Sequence, residues 1–200
     1  EHLEAAVEQA SSNAEFHYNL ALVYGDLNEL ELAQKHYELA LSIRPGMAPA
    51  LNNLGNIMKE LKDFSRAVEC YHQAIEADET YMPAHKNLAD AFETSGFAEA
   101  AHEAYTTALN LRSDPGTRIR DALVLPVFPD SKDHILELRA GLEAKLDELL
   151  DDDLSIEDPL REVGATNFLL AYHGLNDKVI QQKLARLHVS ACPSLAYTAP

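Results

Sequence analysis

The sequence predicts an all-α fold built from repeated pairs of helices. Three observations support this prediction. Side chains of one type recur every 34 residues through the first half of the chain. Apolar residues within each 34-residue unit recur at helical spacing, and the units are separated by short polar breaks. Glycine and proline are scarce, with 8 and 9 residues among 200, whereas folds rich in strands and turns need more of both.

The period becomes visible when Ala14, Ala48 and Met82 are aligned as the starts of three units. Several columns then keep one chemical character in all three copies. These columns are Leu20, Leu54 and Leu88; Ala21, Gly55 and Ala89; Tyr24, Met58 and Phe92; Ala33, Ala67 and Ala101; Tyr37, Tyr71 and Tyr105; and Ala40, Ala74 and Ala108. Small side chains let two antiparallel helices approach closely, and the large ones fill the space between them. Each unit is therefore predicted to be a helical hairpin.

Boundary residues place the individual helices. Pro49 and Pro83 suit the first turn of a helix, where the missing N–H costs little. Asn28 and Asp63 are expected to cap the second helix of their units. The predicted helices are 14–27, 30–43, 48–60, 64–77, 82–95 and 98–111.

After Leu111 the repeat register is lost, because Pro126 would break the first helix of a fourth unit. Ser131 is predicted to cap a helix over about 132–150. This helix has one apolar face, formed by Ile135, Leu138, Leu142, Leu146 and Leu149. A helix with one apolar face is suited to close the end of the array. Irregular chain is expected next, until Asn176 opens a last helix at about 177–191.

The columns resemble the tetratricopeptide repeat, whose signature has Leu, Gly or Ala, Tyr, Ala, Phe or Tyr, and Ala at the same offsets. The resemblance covers residues 14–111. It divides the chain into repeats at 14–47, 48–81 and 82–115, with a helical extension at 116–200. Leu3 and Ala6 match the second helix of a preceding unit, so residues 1–13 are interpreted as the remnant of another repeat. The family's usual tryptophan is replaced by His17, Leu51 and His85.

The resemblance implies a right-handed superhelix whose concave groove is lined by the first helix of each pair. One column on those helices lies outside the packing positions and consists of Asn19, Asn53 and Asn87. An amide offers donors and acceptors, so this ladder is predicted to pair with the backbone of an extended peptide. The alternative is that the three asparagines bond locally or support the turns. Further candidate contacts are Asn52, Asn56, Lys86 and Asp90.

A different mode of binding is not expected. Some proteins of this family clamp the C-terminal carboxylate of a partner with lysine and arginine on their first helices. The corresponding positions here hold Tyr18, Leu22, Pro83 and Asn87, and only the asparagine of the clamp is present, as Asn53. The net charge of −17 also disfavours an acidic ligand.

The C-terminal third contains three distinctive stretches, Ala122–Val127, residues 161–177 and residues 191–200. Together they resemble the linker of bacterial SPINDLY-like proteins, which are tetratricopeptide repeat proteins related to the protein O-linked N-acetylglucosamine transferases. In that family the linker joins the repeats to a two-lobed glycosyltransferase domain that uses a nucleotide-sugar donor. The resemblance spans about 117–200 and implies an acceptor-recruiting role in a protein O-glycosyltransferase.

No catalytic residue or cofactor is assigned within this segment. Two nucleotide-binding lobes need roughly 100–150 residues each, which exceeds the 84 residues from 117 to 200. A glycine-rich phosphate loop is also absent from the sequence. The catalytic part is therefore expected after Pro200, and Tyr172–Gly174 is considered either for contact with it or as a structural turn. The alternative function is a free-standing scaffold that assembles a complex without an enzyme.

The charge of the chain argues against two classes of binding partner. The chain has 16 Lys and Arg against 33 Asp and Glu, a balance that repels nucleic acid and anionic membranes. No apolar run is long enough to cross a bilayer, and a cytoplasmic location is expected. Two cysteines are read as reduced thiols, with Cys70 buried and Cys192 more exposed. Neither the histidines nor the acidic residues at 151–158 have metal-ligand spacing, so no metal is expected.

Overall fold

A computed structural model of the chain describes residues 13–164 and 168–196. Within those residues every regular element is a helix, which confirms the predicted all-α class. Except for Asn13, the predicted repeat remnant at 1–13 lies outside the described residues. Residues 165–167 and 197–200, which belong to the stretches noted in the C-terminal third, lie outside them as well.

The first six helices begin and end within one residue of the predicted positions. They are α1 (Ala14–Asp26), α2 (Leu30–Ile43), α3 (Ala48–Glu60), α4 (Phe64–Ala77), α5 (Met82–Thr94) and α6 (Ala98–Leu111). Pro49 and Pro83 occupy the first turns of α3 and α5, as predicted. The chain divides into two compact units, Glu1–Ser95 and Gly96–Pro200. The boundary falls between the two helices of the third repeat.

The core of the first unit forms where the two helices of a hairpin approach each other. Ala33 and Ala67 are fully buried, and so is the ring of Tyr71. Gly55 on α3 faces that ring so closely that an added Cβ would lie 2.5 Å from Tyr71 Cε1. The positions that replace the family tryptophan stay in the interior, since His17, Leu51 and His85 are 7%, 6% and 7% exposed.

The turn inside each hairpin uses the left-handed backbone conformation at one repeated position. Asn28, Lys62 and Gly96 lie 34 residues apart and have φ angles of 60°, 66° and 84°. The prediction that Asn28 caps α2 is therefore wrong, because Glu29 is the N-cap residue and makes no side-chain cap bond. Asparagine tolerates the left-handed region, which explains its place in the turn. The prediction for Asp63 is confirmed, since its side chain accepts from the Arg66 N–H.

Replacing Lys62 with glycine is expected to stabilise the first unit by up to about 1 kcal/mol. A lysine with φ of 66° carries a steric cost that glycine avoids, and Gly96 already holds the equivalent position. Glycine's larger freedom in the unfolded chain offsets part of the gain. Urea unfolding followed by circular dichroism measures the change. Lys62→Ala is the matched control, because it removes the same charge and keeps the Cβ; equal stability of the two variants would contradict the prediction.

The second unit contains one helix that the sequence analysis missed. This is α7 (Pro115–Leu123), which contacts α6 and is followed by α8 (Lys132–Asp151). Proline at its start and the Asp114 side chain, which accepts from the Thr117 N–H at 2.9 Å, cap α7. The helix ends before Pro126, so the proline predicted to break a fourth repeat instead limits α7 to a short helix.

The remainder of the second unit consists of short helical segments and one longer helix. A short helix α9 (Pro159–Glu162) and a 3₁₀ turn (Phe168–His173) lead to α10 (Lys178–Ala191), which contacts α8. A final 3₁₀ turn spans Pro193–Ala196. Ser131 caps α8 as predicted, and Leu142, Leu146 and Leu149 of the predicted stripe are buried. The Asn176 side chain accepts from the Lys178 N–H at the start of α10.

Cys192 is buried, contrary to the expectation of greater exposure. It is 2% exposed because it follows α10 directly and packs in the apolar core of the second unit. Its Sγ lies 3.1 Å from the Ser194 hydroxyl and 3.6 Å from the Glu157 carbonyl oxygen. Cys70 is buried as predicted, and burial raises the pKa of its thiol to about 11. A thiol with a raised pKa is a poor nucleophile, so the structure gives Cys70 a packing role.

Candidate functional site

The predicted amide ladder lies on three helices of the first unit. Asn19, Asn53 and Asn87 occupy equivalent positions on α1, α3 and α5, and α3 contacts α5 directly. The Asn19 side chain is exposed, whereas Asn53 and Asn87 are partly buried. None of the three amides belongs to the buried core. All three asparagine side chains therefore keep some solvent-accessible surface.

A chain of hydrogen bonds joins the three helices at this level. Asn87 Nδ2 donates to Asn52 Oδ1 at 2.8 Å, which links α5 to α3. Asn52 Nδ2 donates to Asn53 Oδ1 at 3.1 Å. Asn53 Nδ2 then donates to the Tyr18 hydroxyl at 3.3 Å, which links α3 to α1. We call these four residues the amide relay.

The relay uses only part of the hydrogen-bonding capacity of the ladder. Each amide has two N–H donors and an oxygen with two lone pairs. Among the described residues, Asn53 donates to Tyr18 and Tyr37 and accepts from Asn52, so one lone pair remains. Asn87 donates once, to Asn52, so its oxygen and one N–H remain. Asn19 lies outside the relay and is exposed. Two of the three ladder residues thus support their neighbours, as the local alternative proposed, and still retain groups that can face a ligand.

Tyr18 and Tyr37 both lie beside Asn53 of the relay. Their ring centroids are 6.0 Å apart. Burial raises the pKa of Tyr37 to about 12, and a hydrogen bond from Asn53 partly opposes this rise. The Tyr37 phenol therefore stays neutral at physiological pH and can donate or accept. Tyr18 also borders a cleft of about 560 Å³ whose other lining residues include Met47 and Pro49.

The remaining candidate residues have varied surroundings. Asn52 is buried, with 3% exposure. Asn56 accepts from the Tyr71 hydroxyl at 2.8 Å, and burial raises the pKa of that phenol. Asp90 on α5 forms an ion pair with Lys59 on α3. Lys86 is partly buried on α5, beside Asn87.

Two histidines of the first hairpin form a contact that sequence reasoning did not find. The Nδ1 atoms of His17 and His36 lie 3.0 Å apart, and the His36 ring stacks on Tyr24 at 5.3 Å. Burial is the main cause that lowers the pKa of His36, and the nearby His17 and Lys35 lower it further. Spacing gave no signal for this contact, because the histidines lie 19 positions apart on different helices. Tyr18 was missed in the same way, since its bond to Asn53 crosses between repeats.

Metal-binding sites and membrane-spanning helices are not found among the described residues. Among them, no group of three or more His, Cys, Asp or Glu side chains is placed to hold a metal ion. The acidic run of the second unit is used in local structure, where Asp152 pairs with Arg118 and Glu162 accepts from the Glu157 N–H. No helix in the described part of the chain has the length and apolar character needed to cross a membrane.

His173, considered above for an interface, is enclosed in the second unit. It ends a 3₁₀ turn, is 8% exposed, and has no hydrogen-bond partner on either ring nitrogen among the described residues. Burial is the main cause that lowers the pKa of His173. The positive charge of Arg139 lowers it further, whereas Asp177 acts in the opposite direction. Arg139 itself is held by Asp177 at 2.6 Å and by the Asn176 carbonyl oxygen at 2.8 Å.

Comparisons with known proteins identify the repeats. Two family models, both described as tetratricopeptide repeat, match residues 12–80 and 53–116. The chain resembles the crystal structure of MamA with 22% identity and a TM-score of 0.50, over 50% of this chain and 59% of that one. This alignment thus spans less than two thirds of the MamA chain.

Two further solved structures share the fold. The first is the first TPR of Spaghetti (RPAP3) bound to the HSP90 peptide SRMEEVD, with 19% identity and a TM-score of 0.50, over 67% of this chain and 94% of that one. The second is the N-terminal domain of stress-induced protein-1 (STI-1) from C. elegans, with 21% identity and a TM-score of 0.50, over 54% and 91%. At these identities the likeness concerns the fold alone.

Proposed function

Because residues 12–116 are tetratricopeptide repeats, we propose that the chain is a protein-interaction module that binds an extended polypeptide along α1, α3 and α5. The observation that carries the proposal is the placement of Asn19, Asn53 and Asn87 at equivalent positions on three neighbouring first helices, each with part of its side chain exposed. Each amide can both donate and accept, so it can pair with the N–H and C=O groups of an extended backbone.

Recognition through the backbone makes the module tolerant of sequence. The ladder supplies neutral donors and acceptors and no charge, so it does not select an acidic or a basic side chain. Tyr18 and the adjoining cleft of about 560 Å³ add a place for one ligand side chain beside Asn53. The module is therefore suited to several partners that share an unfolded segment.

An acidic C-terminal tail is not the proposed ligand. The peptide in the Spaghetti structure, SRMEEVD, ends in acidic residues. In this chain the positions corresponding to the clamp hold Tyr18, Leu22, Pro83 and Asn87, none of which carries a positive charge. A net charge of −17 adds long-range repulsion of acidic ligands.

A more specific role concerns the parent protein. The resemblance of residues 117–200 to the SPINDLY-like linker supports a module that recruits acceptor proteins to a nucleotide-sugar-dependent O-glycosyltransferase domain. The scaffold alternative keeps the same peptide-binding face without any enzyme. The reading frame after Pro200 discriminates between them. A glycosyltransferase domain there supports the recruiting role, and a stop codon there overturns it while leaving the scaffold in place.

The ligand itself provides the first test of backbone recognition. Peptides selected from a random display library are synthesised in three forms, which are the selected sequence, a scrambled sequence and a backbone N-methylated version. We expect scrambling to change Kd by less than tenfold, whereas N-methylation removes N–H donors and weakens binding by more than tenfold. The SRMEEVD peptide is included and is expected to bind poorly. Loss of binding on scrambling, with tolerance of N-methylation, would contradict the proposal.

A further inference from the structure

We propose that Asn52 is a positioning residue that fixes the amide orientations of Asn53 and Asn87 for the ligand. This inference rests on the proposed function and adds a residue that does not belong to the asparagine column. Asn52 was expected from sequence to contact the ligand. Its exposure of 3% leaves little surface for such a contact, so its effect on binding must pass through the residues that it holds.

Asn52 occupies the centre of the amide relay. Its oxygen accepts from Asn87 at 2.8 Å, and its nitrogen donates to Asn53 at 3.1 Å. Both ends of one buried side chain are therefore engaged, each by a different ladder residue. Asn52 is the only member of the relay that bonds two ladder asparagines.

The repeat register shows why this position is special. The residues equivalent to Asn52 in the flanking repeats are Tyr18 and Lys86, and both are partly exposed. Only the middle repeat places an amide here, and only there is the side chain buried. Tyr18 ends the relay by accepting from Asn53, so equivalent positions of two repeats hold Asn53 from both sides.

Every bond of the relay runs in the same direction, from α5 towards α1. This direction fixes which end of each amide is occupied. The NH₂ group of Asn53 faces Tyr18 and its oxygen faces Asn52, whereas the NH₂ group of Asn87 faces Asn52 and its oxygen bonds none of the described residues. Without Asn52 the Asn87 amide loses its relay partner, and the Asn53 amide keeps only the hydroxyls of Tyr18 and Tyr37. A hydroxyl can donate as well as accept, so either amide can then rotate by half a turn and exchange its donor and acceptor. Ligand binding then has to immobilise two side chains that the relay otherwise holds in place.

The test uses Asn52→Leu, which has no polar group, and Asn52→Ala, which avoids any problem of size. Gln73→Ala is the matched control, because it removes an exposed amide from α4 whose bond, among the described residues, is to Glu69 on the same helix. Binding of a selected, labelled library peptide is measured by calorimetry. Side-chain ¹⁵N–¹H signals of Asn53 and Asn87 are recorded in the free proteins.

We expect both Asn52 variants to weaken binding about tenfold, with altered Asn53 and Asn87 amide signals, while Gln73→Ala changes neither. Unchanged affinity, or weaker binding with unchanged amide signals, would overturn the positioning role and leave the proposed function standing. If the wild-type chain binds none of the selected peptides, the proposed function fails, and the inference fails with it.

Discussion

Replacing Gly55 with valine is expected to destabilise the first unit by about 3 kcal/mol. An added Cβ would lie 2.5 Å from Cε1 and 2.8 Å from Cδ1 of Tyr71, well inside van der Waals contact. The Tyr71 ring cannot retreat easily, because it is fully buried and its hydroxyl donates to Asn56 at 2.8 Å. The two helices of the second repeat must therefore separate, which opens the core of the first unit.

A second helical glycine, Gly141, is the control that distinguishes the clash with Tyr71 from the general gain in helix propensity when glycine is replaced. Gly141 lies inside α8, and a Cβ added there would meet no atom within 4 Å. Alanine at Gly141 should stabilise the chain by up to about 1 kcal/mol through helix propensity alone. Alanine at Gly55 should lose that gain to the contact with Tyr71.

Urea unfolding followed by far-UV circular dichroism measures these variants. We expect Gly141→Ala to be more stable than Gly55→Ala by about 2 kcal/mol, with Gly55→Val less stable than either. Equal effects of alanine at the two glycines would show that the Gly55–Tyr71 approach does not determine the packing of the hairpin.

The repeated helices were predictable because the restraints on them are local and occur three times. Helical spacing, proline in the first turn and a small residue opposite a tyrosine each act within one hairpin. The residue types at Ala33, Tyr37 and Ala40 each recur in all three repeats, and only one alignment of the repeats keeps all of them in register. The predicted helix ends consequently agree with the structure throughout the first half of the chain.

The predictions of helix boundaries failed where one residue type suits two different local conformations. Asparagine favours both a helix cap and the left-handed conformation, and at position 28 the turn takes precedence, as the equivalent Lys62 and Gly96 indicate. Pro115 lies just past the last predicted repeat helix, which ends at Leu111, and a proline there suits either the end of the array or the first turn of a new helix. The structure uses it in the second way, and α7 results.

The amide ladder was predictable as a column, whereas the relay was not. The 34-residue period identifies equivalent residues but contains no information about contacts between non-equivalent ones. The bond from Asn87 to Asn52 joins positions 35 apart, and so does the bond from Asn53 to Tyr18. These contacts depend on the offset between neighbouring first helices, which only the packed structure defines.

Replacing Asn19, Asn53 and Asn87 together with alanine is expected to weaken peptide binding about a hundredfold. Each amide contributes a net hydrogen-bond free energy of about 1 kcal/mol, and each 1.4 kcal/mol changes Kd tenfold. The variant should also lose some stability, because Asn52 would lose the partners of both its oxygen and its nitrogen. Binding is therefore compared at a temperature well below the onset of unfolding.

The control variant carries alanine at Gln34, Gln73 and Asn110, which removes three amides from second helices. Isothermal calorimetry of a selected library peptide against the wild type, the ladder variant and this control tests backbone recognition by the first helices most directly. The account predicts near-wild-type affinity for the control and about a hundredfold weaker binding for the ladder variant. Equal affinities for all three proteins would contradict it.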